Sequence, residues 1–251
     1  MTENALDSKV ALVTGAARRI GAATIRLLHT QGMNVVLHYN SSEESAVKLC
    51  ESLNKIRKHS AVAIRADLQL TGSEGALIKQ AAAVWHRLDL LVNNASQFYR
   101  TSLGKITDYA WDDLMKCNLK APFFLSQAAA PFLTDSQGSI INITDIHAER
   151  PLRDYAVYCI SKSGLIMVTK VLAKELGPLV RVNAISPGAI MWPEGENTLS
   201  NPEKQKIIDR TPLKRAGTAE DIAKAVLFLV RDADYVTGQV FNIDGGRLSI
   251  G

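Results

Sequence analysis

The chain has 251 residues, 47% of them hydrophobic and 22% charged, with a formal net charge of +4. This is the balance of a soluble globular protein that can bury a sizeable core without disulfides or a structural metal. Its lysines and arginines are scattered, so the charge leaves no footprint for a nucleic acid, while it suits an anionic small molecule. Cys50, Cys117 and Cys159 lie far apart and form no CxxC pair, which points to a reducing compartment. The start, MTENALDSKVALVTG, lacks the basic residues and long apolar run of a secretory signal, and no stretch has the apolar length of a membrane span. A cytoplasmic protein without a membrane partner is expected.

The first predicted strand, Val10–Val13, leads to a helix over Arg19–Thr30. Strand Asn34–His38 leads to a helix over Glu43–Lys58, and strand Ala61–Arg65 to a helix over Glu74–His86. Strand Leu88–Val92 is followed, after an irregular stretch, by a long helix over Trp111–Leu133. Strand Ser139–Ile143 precedes a helix over Tyr155–Leu176. Strand Val180–Ala184, helix Ala219–Val230 and strand Gln239–Ile243 complete the series. The strand runs are apolar almost throughout, as strands buried on both faces of a parallel sheet are. Repeated βα units predict one doubly wound α/β domain over residues 1–251, a seven-stranded parallel sheet flanked by helices. The irregular segment from Pro187 to about Asn201, and the short helical pattern behind it, follow a strand's carboxyl end. They predict a substrate lid over residues 187–212 rather than a plain surface insertion.

The motifs sit at strand ends. In VTGAARRIGAAT the first strand enters a tight turn and then a helix, so backbone N–H groups converge where a pyrophosphate can sit. Gly15 allows the turn and Gly21 the close packing of helix on strand. Two glycines alone are equally compatible with an ordinary βα turn. Arg18 and Arg19 have a choice between solvent and phosphate, and Arg19 is long enough to reach a flat, acceptor-rich ligand. The second strand ends in HYNSS, with no acid before Glu43. An acid there would hold an adenosine ribose and repel a 2′-phosphate. His38, Asn40, Ser41, Ser42 and Arg18 are donors instead, so NADP(H) is expected over NAD(H). Ser41 and Glu44 match a capping box that starts the next helix. In YCISK, Tyr158 and Lys162 share one helix face, where a lysine is expected to lower the phenol's pKa.

Taken together these motifs resemble the short-chain dehydrogenase/reductase superfamily, whose fold is Rossmann-like. The matches run along the whole chain: TGAARRIG, Asp67-Leu68 after the third strand, NNAS at Asn93–Ser96, Asn118, Tyr158 with Lys162, Pro187-Gly188 and YVTGQVFNIDGG. The resemblance implies that Asn118 helps to hold a proton-relay water and that Lys162 also grips the nicotinamide ribose. It implies further cofactor contacts from Ile20, Asp67, Leu68, Asn94, Ala95, Ser96, Thr144, Tyr158, Pro187, Gly188 and Ile190. Two positions depart from the family pattern. Asp145 stands where a serine is usual, and Arg19 where a glycine is usual. Both departures, with Phe98 after the NAS turn and the HY of HYNSS, resemble the pteridine reductase branch, although a basic residue frequent there near Asn40 is missing.

The chemistry agrees with that branch. An ionised Asp145 beside a developing oxyanion would repel it by about 4 kcal/mol at roughly 4 Å, so it ill suits ketone reduction. A pterin instead offers a C=N bond whose nitrogen needs a proton, which Asp145 and Tyr158 can deliver. The expected activity is NADPH-dependent reduction of dihydropterins, with oxidised pterins and dihydrofolate as further candidates, which would place the enzyme in folate metabolism. Candidate substrate contacts are Arg19, Ser96, Phe98 as a stacking face, Asp145, Tyr158 and Trp192. Plainer roles stay open: Phe98 as core, Ser96 as a turn cap, Trp192 as packing for the lid, His147 as a surface residue, and Tyr155 as packing. The alternatives are a carbonyl reductase of the same family, such as a 3-oxoacyl-carrier-protein reductase or a sugar dehydrogenase, and a dinucleotide sensor without catalysis. No catalytic metal is expected. By resemblance, the partner of the chain is itself, in a homotetramer.

Overall fold

The computed structural model describes residues 6–192 and 198–249 of the chain. Seven parallel strands form one sheet: β1 (Val10–Val13), β2 (Asn34–Tyr39), β3 (Ala61–Arg65), β4 (Leu90–Asn93), β5 (Ser139–Ile143), β6 (Arg181–Pro187) and β7 (Val240–Ile243). Their spatial order is β3-β2-β1-β4-β5-β6-β7. The central strands are buried on both faces, which is why their sequences run apolar without alternation. Helix α1 (Arg19–Thr30) and α8 (Ala219–Arg231) close one face, where Ala11, Val13, Ile141 and Ile185 meet Ile25, Leu28, Ile222 and Val226. Helices α3 (Ser73–Trp85), α5 (Ala121–Ser136) and α6 (Ala156–Leu176) cover the other, over Val10, Leu12, Leu91, Ile140 and Val182. The strand order reverses between β1 and β4, and a crevice opens at their carboxyl ends, where a doubly wound sheet binds its ligand.

The differences from the predicted elements have local causes. The long helix expected over Trp111–Leu133 is three pieces: α4 (Asp108–Met115), a wide turn over Lys116–Lys120, and α5. In the wide turn the Ala121 N–H reaches back to the Lys116 carbonyl, a five-residue step, and Pro122 then has no N–H to give. β4 starts at Leu90, and just before it the Asp89 carboxylate accepts from the Val10 N–H at 2.8 Å. β6 runs to Pro187 because Ser186 and Pro187 stay in register with Asn242 and Ile243. The helix after β2, α2 (Glu43–Ile56), begins where expected, but the capping box does not form. Ser42 is its N-cap and makes no side-chain cap bond, and Glu44 pairs with Lys48 instead. Within the expected lid, α7 (Asn201–Asp209) is capped by Ser200 and Glu203. Residues 193–197 of that lid lie outside the described residues.

Helix α6 is long and apolar enough to cross a bilayer by length and composition. Its buried side, including Tyr158, Ser161, Lys162, Leu165 and Leu172, faces the molecule's interior.

Candidate active site

The crevice is built around Thr14, at the end of β1. Its hydroxyl oxygen accepts from the N–H groups of Asn94 and Ala95, both at 2.9 Å, and so ties β1 to the turn after β4. The Asn94 amide donates to the carbonyls of Thr14 at 2.8 Å and Gly15 at 3.1 Å. Gly15 is left-handed, with φ +61°. A Cβ on Gly21 would lie 2.4 Å from the Gly15 carbonyl oxygen and 2.8 Å from Ala16 Cα, so that helix and turn approach as closely as backbone allows.

His38 has another part than expected. Its ring is buried, and burial lowers its pKa, so it is neutral near pH 7. Nδ1 accepts from the Gly15 N–H at 3.2 Å, which leaves Nε2 to donate to the Ala66 carbonyl at 3.0 Å. With both nitrogens engaged His38 braces the glycine turn and is not a phosphate donor. Arg18 is exposed at the N-cap of α1, while Ile20 packs on the core. At the end of β2, Asn40 and Ser41 are exposed, and the Asn40 amide is 3.5 Å from Asp67. Glu43, in the first turn of α2, accepts from the Tyr39 hydroxyl at 3.4 Å. Leu68 is core.

Arg19 adopts φ 54°, a left-handed conformation in the place where the family pattern has glycine. Its two terminal nitrogens each lie 3.2 Å from the Trp192 carbonyl, and one lies 3.5 Å from that of Met191. The guanidinium thus joins the start of α1 to the segment after β6. Trp192 is half-buried, with Lys204 of α7 at 5.9 Å from its ring. Its described contacts pack the lid together. Ile190 packs against Gly217, and Gly188 passes so close to Asp244 that a Cβ would sit 2.7 Å away.

The catalytic candidates converge. Tyr158 and Lys162 are one turn apart on α6 and both are buried. The Tyr158 hydroxyl donates to Asp145 Oδ2 at 2.8 Å, while Asp145 Oδ1 accepts the His147 N–H at 2.8 Å. Lys162 Nζ donates to the Ile143 carbonyl at 2.9 Å. Burial pulls its pKa down to about 8 against the attraction of Asp145. Tyr158 does not follow the sequence expectation: its pKa is raised, first by burial and then by the Asp145 carboxylate. Lys162 Nζ stands 5.9 Å from the centre of the phenol ring, turned to Ile143, so Asp145 and not the lysine is the phenol's immediate partner.

Asn118 stands in the wide turn between α4 and α5. Its Nδ2 donates to the Gln97 carbonyl at 3.0 Å and the Ser161 hydroxyl at 3.2 Å, and its Oδ1 accepts from the Gln97 N–H at 2.8 Å and the Ser96 hydroxyl at 3.0 Å. An amide has four such places, and all are used. Asn118, with Ser96, thus fixes the loop after β4. The next residue but one, Phe98, stacks on Tyr155 with centroids 4.5 Å apart and meets Tyr158 edge-on at 4.8 Å. One face of Phe98 is therefore covered by Tyr155. Cys159 joins the same aromatic cluster, so it adjoins Tyr158 in space as well as in sequence. The His147 ring turns to its own loop, at 2.9 Å from the Arg150 carbonyl, and Thr144 bonds β6 through both N–H and hydroxyl.

Sequence reasoning missed Gln97, Tyr99 and Asp113, which lock the loop from outside any motif. It also missed Arg247, which burial holds below the arginine range with Asp145 opposing. Nothing in their spacing marks them. Among the described residues no His, Cys, Asp or Glu side chains converge as a metal site.

The crevice fits a dinucleotide. The first turn of α1 carries no acid and no side-chain cap, so its positive end is open to an anion. Gly15 and Gly21 make a cradle that side chains would fill. Deeper in, the Lys162 ammonium has one hydrogen bond among the described residues, and the buried Ser186 hydroxyl at the end of β6 has none.

A family model described as enoyl-(acyl carrier protein) reductase matches residues 15–247. The chain belongs to the short-chain dehydrogenase/reductase superfamily. It is 36% identical over 98% of both chains to a protein named for ketoacyl reductase 2 of the granaticin polyketide synthase in Streptomyces violaceoruber. It is 36% identical to the 3-oxoacyl-(acyl-carrier-protein) reductase of Staphylococcus epidermidis, covering 95% of this chain and 98% of that one. An oxidoreductase of Methylorubrum extorquens is 35% identical, covering 96% and 98%. Two of these relatives carry ketoacyl-reductase names, and none of the three carries a pteridine-reductase name. The family uses nicotinamide dinucleotides, and this chain is an oxidoreductase of it.

Proposed function

We propose that this oxidoreductase reduces the C=N bond of dihydropterins with NADPH. The reading rests on one observation: a carboxylate, Asp145, is hydrogen-bonded at 2.8 Å to the catalytic tyrosine, thirteen residues away, at the position where the family uses serine. Bound NADPH supplies the hydride. Gly15, Gly21 and the N-terminus of α1 would hold its pyrophosphate, and Lys162 would hold its ribose. The site must then give one proton to the ring nitrogen. Tyr158 alone is a poor source, because its phenolate would be buried beside a carboxylate. A water held by Asp145 and Tyr158 delivers that proton, drawn from solvent, while the carboxylate accepts from the Tyr158 hydroxyl and the His147 N–H as it does here. Solvent restores the proton for the next turnover.

NADPH over NADH is supported by the absence of an acid at the end of β2 itself. Glu43 and Asp67 stand nearby, but each accepts a hydrogen bond from a neighbour, Tyr39 and Asn40. A second reading, reduction of 3-oxoacyl thioesters, is favoured by the names of the relatives. An assay of dihydrobiopterin, dihydromonapterin, dihydrofolate and an acetoacetyl thioester, each with NADPH and with NADH, separates the two. Turnover of a dihydropterin with NADPH is the expected result. Turnover of the thioester alone would overturn the pterin reading, and tighter binding of NADH would overturn the cofactor preference. The assembly proposed for the chain is a homotetramer.

A further inference from the structure

The turn after β7 carries an arginine that no motif marks. Asp244 Oδ1 accepts from the Gly246 N–H at 2.8 Å and its Oδ2 from the Leu248 N–H at 2.6 Å, while the Arg247 N–H reaches the Asp244 carbonyl at 3.3 Å. The turn lies on the segment behind α7. There the Leu213 N–H donates to the Gly245 carbonyl at 3.1 Å, and a Cβ on Gly246 would sit 2.8 Å from Pro212 Cγ. Arg210, the C-cap of α7, stands just before that segment. From the other side, Arg150 Nη1 donates to the Arg247 carbonyl at 3.4 Å. The Arg150 carbonyl in turn lies 2.9 Å from the ring of His147, whose N–H binds Asp145.

The charges of these three arginines face one another. Arg247 is half-buried, and its guanidinium donates no hydrogen bond among the described residues. Burial, the largest influence, pulls its pKa below the arginine range. Asp145 and Asp244 oppose that, and the guanidinium groups of Arg150 and Arg210 add to it. Three segments, after β5, after α7 and after β7, thus each bring one arginine to the side of the crevice where Asp145 meets Tyr158. Both carboxylates there are already engaged, Asp145 by the Tyr158 hydroxyl and the His147 N–H, Asp244 by its own turn. Among the described residues, Arg210 and Arg247 form an ion pair with neither. A half-buried guanidinium with two like charges beside it is costly, and an anion bound among the three would lower that cost.

A planar carboxylate is matched by the fork of one guanidinium. A phosphoryl group offers three oxygens that point apart and carries about −1.5 to −2 charge near neutral pH. Three guanidinium groups brought together from three segments suit the second. We infer that Arg150, Arg210 and Arg247 form a subsite for a phosphoryl group carried on the tail of the substrate. This rests on the reading that the substrate's reacting bond lies beside Tyr158 and Asp145. The phosphoryl group has two chemical sources: a phosphorylated side chain on a dihydropterin, or the phosphopantetheine arm of a 3-oxoacyl thioester.

Calorimetric titration of the protein saturated with NADP+ tests this with two matched pairs, dihydroneopterin with its monophosphate and acetoacetyl pantetheine with its phosphate. Dihydrofolate serves as a carboxylate control. In each pair that binds, the phosphorylated member is expected to bind roughly tenfold or more tightly than the other, the worth of one hydrogen bond to a charged group. The pair that binds more tightly names the source. Arg247→Gln is expected to bring the two members to within about threefold of each other. Arg210→Gln, a change at an exposed site, is expected to narrow the gap by a smaller factor, and it carries the test if the first variant does not fold. Equal binding of the two members by the parent would overturn the subsite, and leaves the pterin reading standing where the pterin pair is the one that binds. Binding of the pantetheine pair alone, with its phosphorylated member the tighter, would overturn the pterin reading and support the subsite. Binding of neither pair would overturn both. An equal loss for both members in Arg247→Gln would show a general structural part and overturn the subsite. Tighter binding of dihydrofolate that Arg247→Gln removes, without any gain from the phosphoryl group, would make this a carboxylate site and overturn the assignment.

Discussion

At the scale of single residues, the proposed chemistry rests on the pairing of Asp145 with Tyr158. A serine donates to a developing oxyanion, whereas a carboxylate bonded to the phenol accepts from it and raises the phenol's pKa. The pH dependence follows in sign. The phenol, held up by burial and by Asp145, stays protonated as pH rises through neutral, so kcat/KM for a dihydropterin is expected not to fall there through loss of the phenol proton. Asp145→Ser is expected to lower dihydropterin turnover by about a hundredfold, within the usual worth of general acid catalysis. Equal or faster pterin turnover in the serine variant would sink the assignment, and faster thioester reduction would favour the ketone reading. The identity of these groups was legible in the sequence, because Asp145, Tyr158 and Lys162 stand at fixed places relative to a strand end and a helix. Their electrostatics were not. Spacing put Lys162 on the face of Tyr158 but could not tell that its ammonium turns to the Ile143 carbonyl.

At the scale of elements, the strands and their order were readable because burial on both faces writes itself as uninterrupted apolar sequence. The wide turn at Lys116–Lys120 was not readable, since one extra residue in a helical step leaves the apolar pattern on either side intact. Yet that turn is what brings Asn118 to Gln97. The bracing of the glycine turn by His38 was hidden for a similar reason: a histidine at a strand end reads as a donor until the ring's partners are seen. The close approach of α1 to the turn at Gly21 was legible and makes a firm prediction. In Gly21→Ala the added methyl would meet the backbone of Gly15 and Ala16 at 2.4 and 2.8 Å, and backbone cannot swing aside as a side chain does. The turn must open, so the variant is expected to lose stability by about 1–3 kcal/mol, the usual cost of overpacking. NADPH should bind at least about tenfold more weakly, since each 1.4 kcal/mol is a factor of ten. Titration of cofactor fluorescence together with thermal unfolding checks both. An alanine variant with parental affinity and midpoint would mean that the turn does not carry the cofactor's phosphates.

At the scale of the molecule, the helices that present the catalytic groups have a second, uncovered side. Between α4–α5 and α6 runs an apolar groove of about 640 Å³, lined by Met115, Leu119, Phe123, Phe124, Met167 and Val171. Phe124 is 41% exposed and Met167 58%, with Ile160 and Val171 also open on the same helix pair. Contiguous apolar surface of this kind marks an interface, and a two-fold partner would lay the same helices against each other. Burying this face would also stiffen α6 from behind, on the helix whose other side carries Tyr158 and Lys162. The homotetramer proposed from the family therefore makes two linked predictions. Light scattering at micromolar concentration should give four chains per particle. Phe124→Glu with Met167→Glu, which places charge in the groove without touching the crevice, should yield smaller species that keep the fold by circular dichroism but turn over more slowly. A monomeric parent would overturn the assembly. Dissociated chains with parental turnover would show that the two sides of α6 act independently, and that the face behind the active site serves assembly alone.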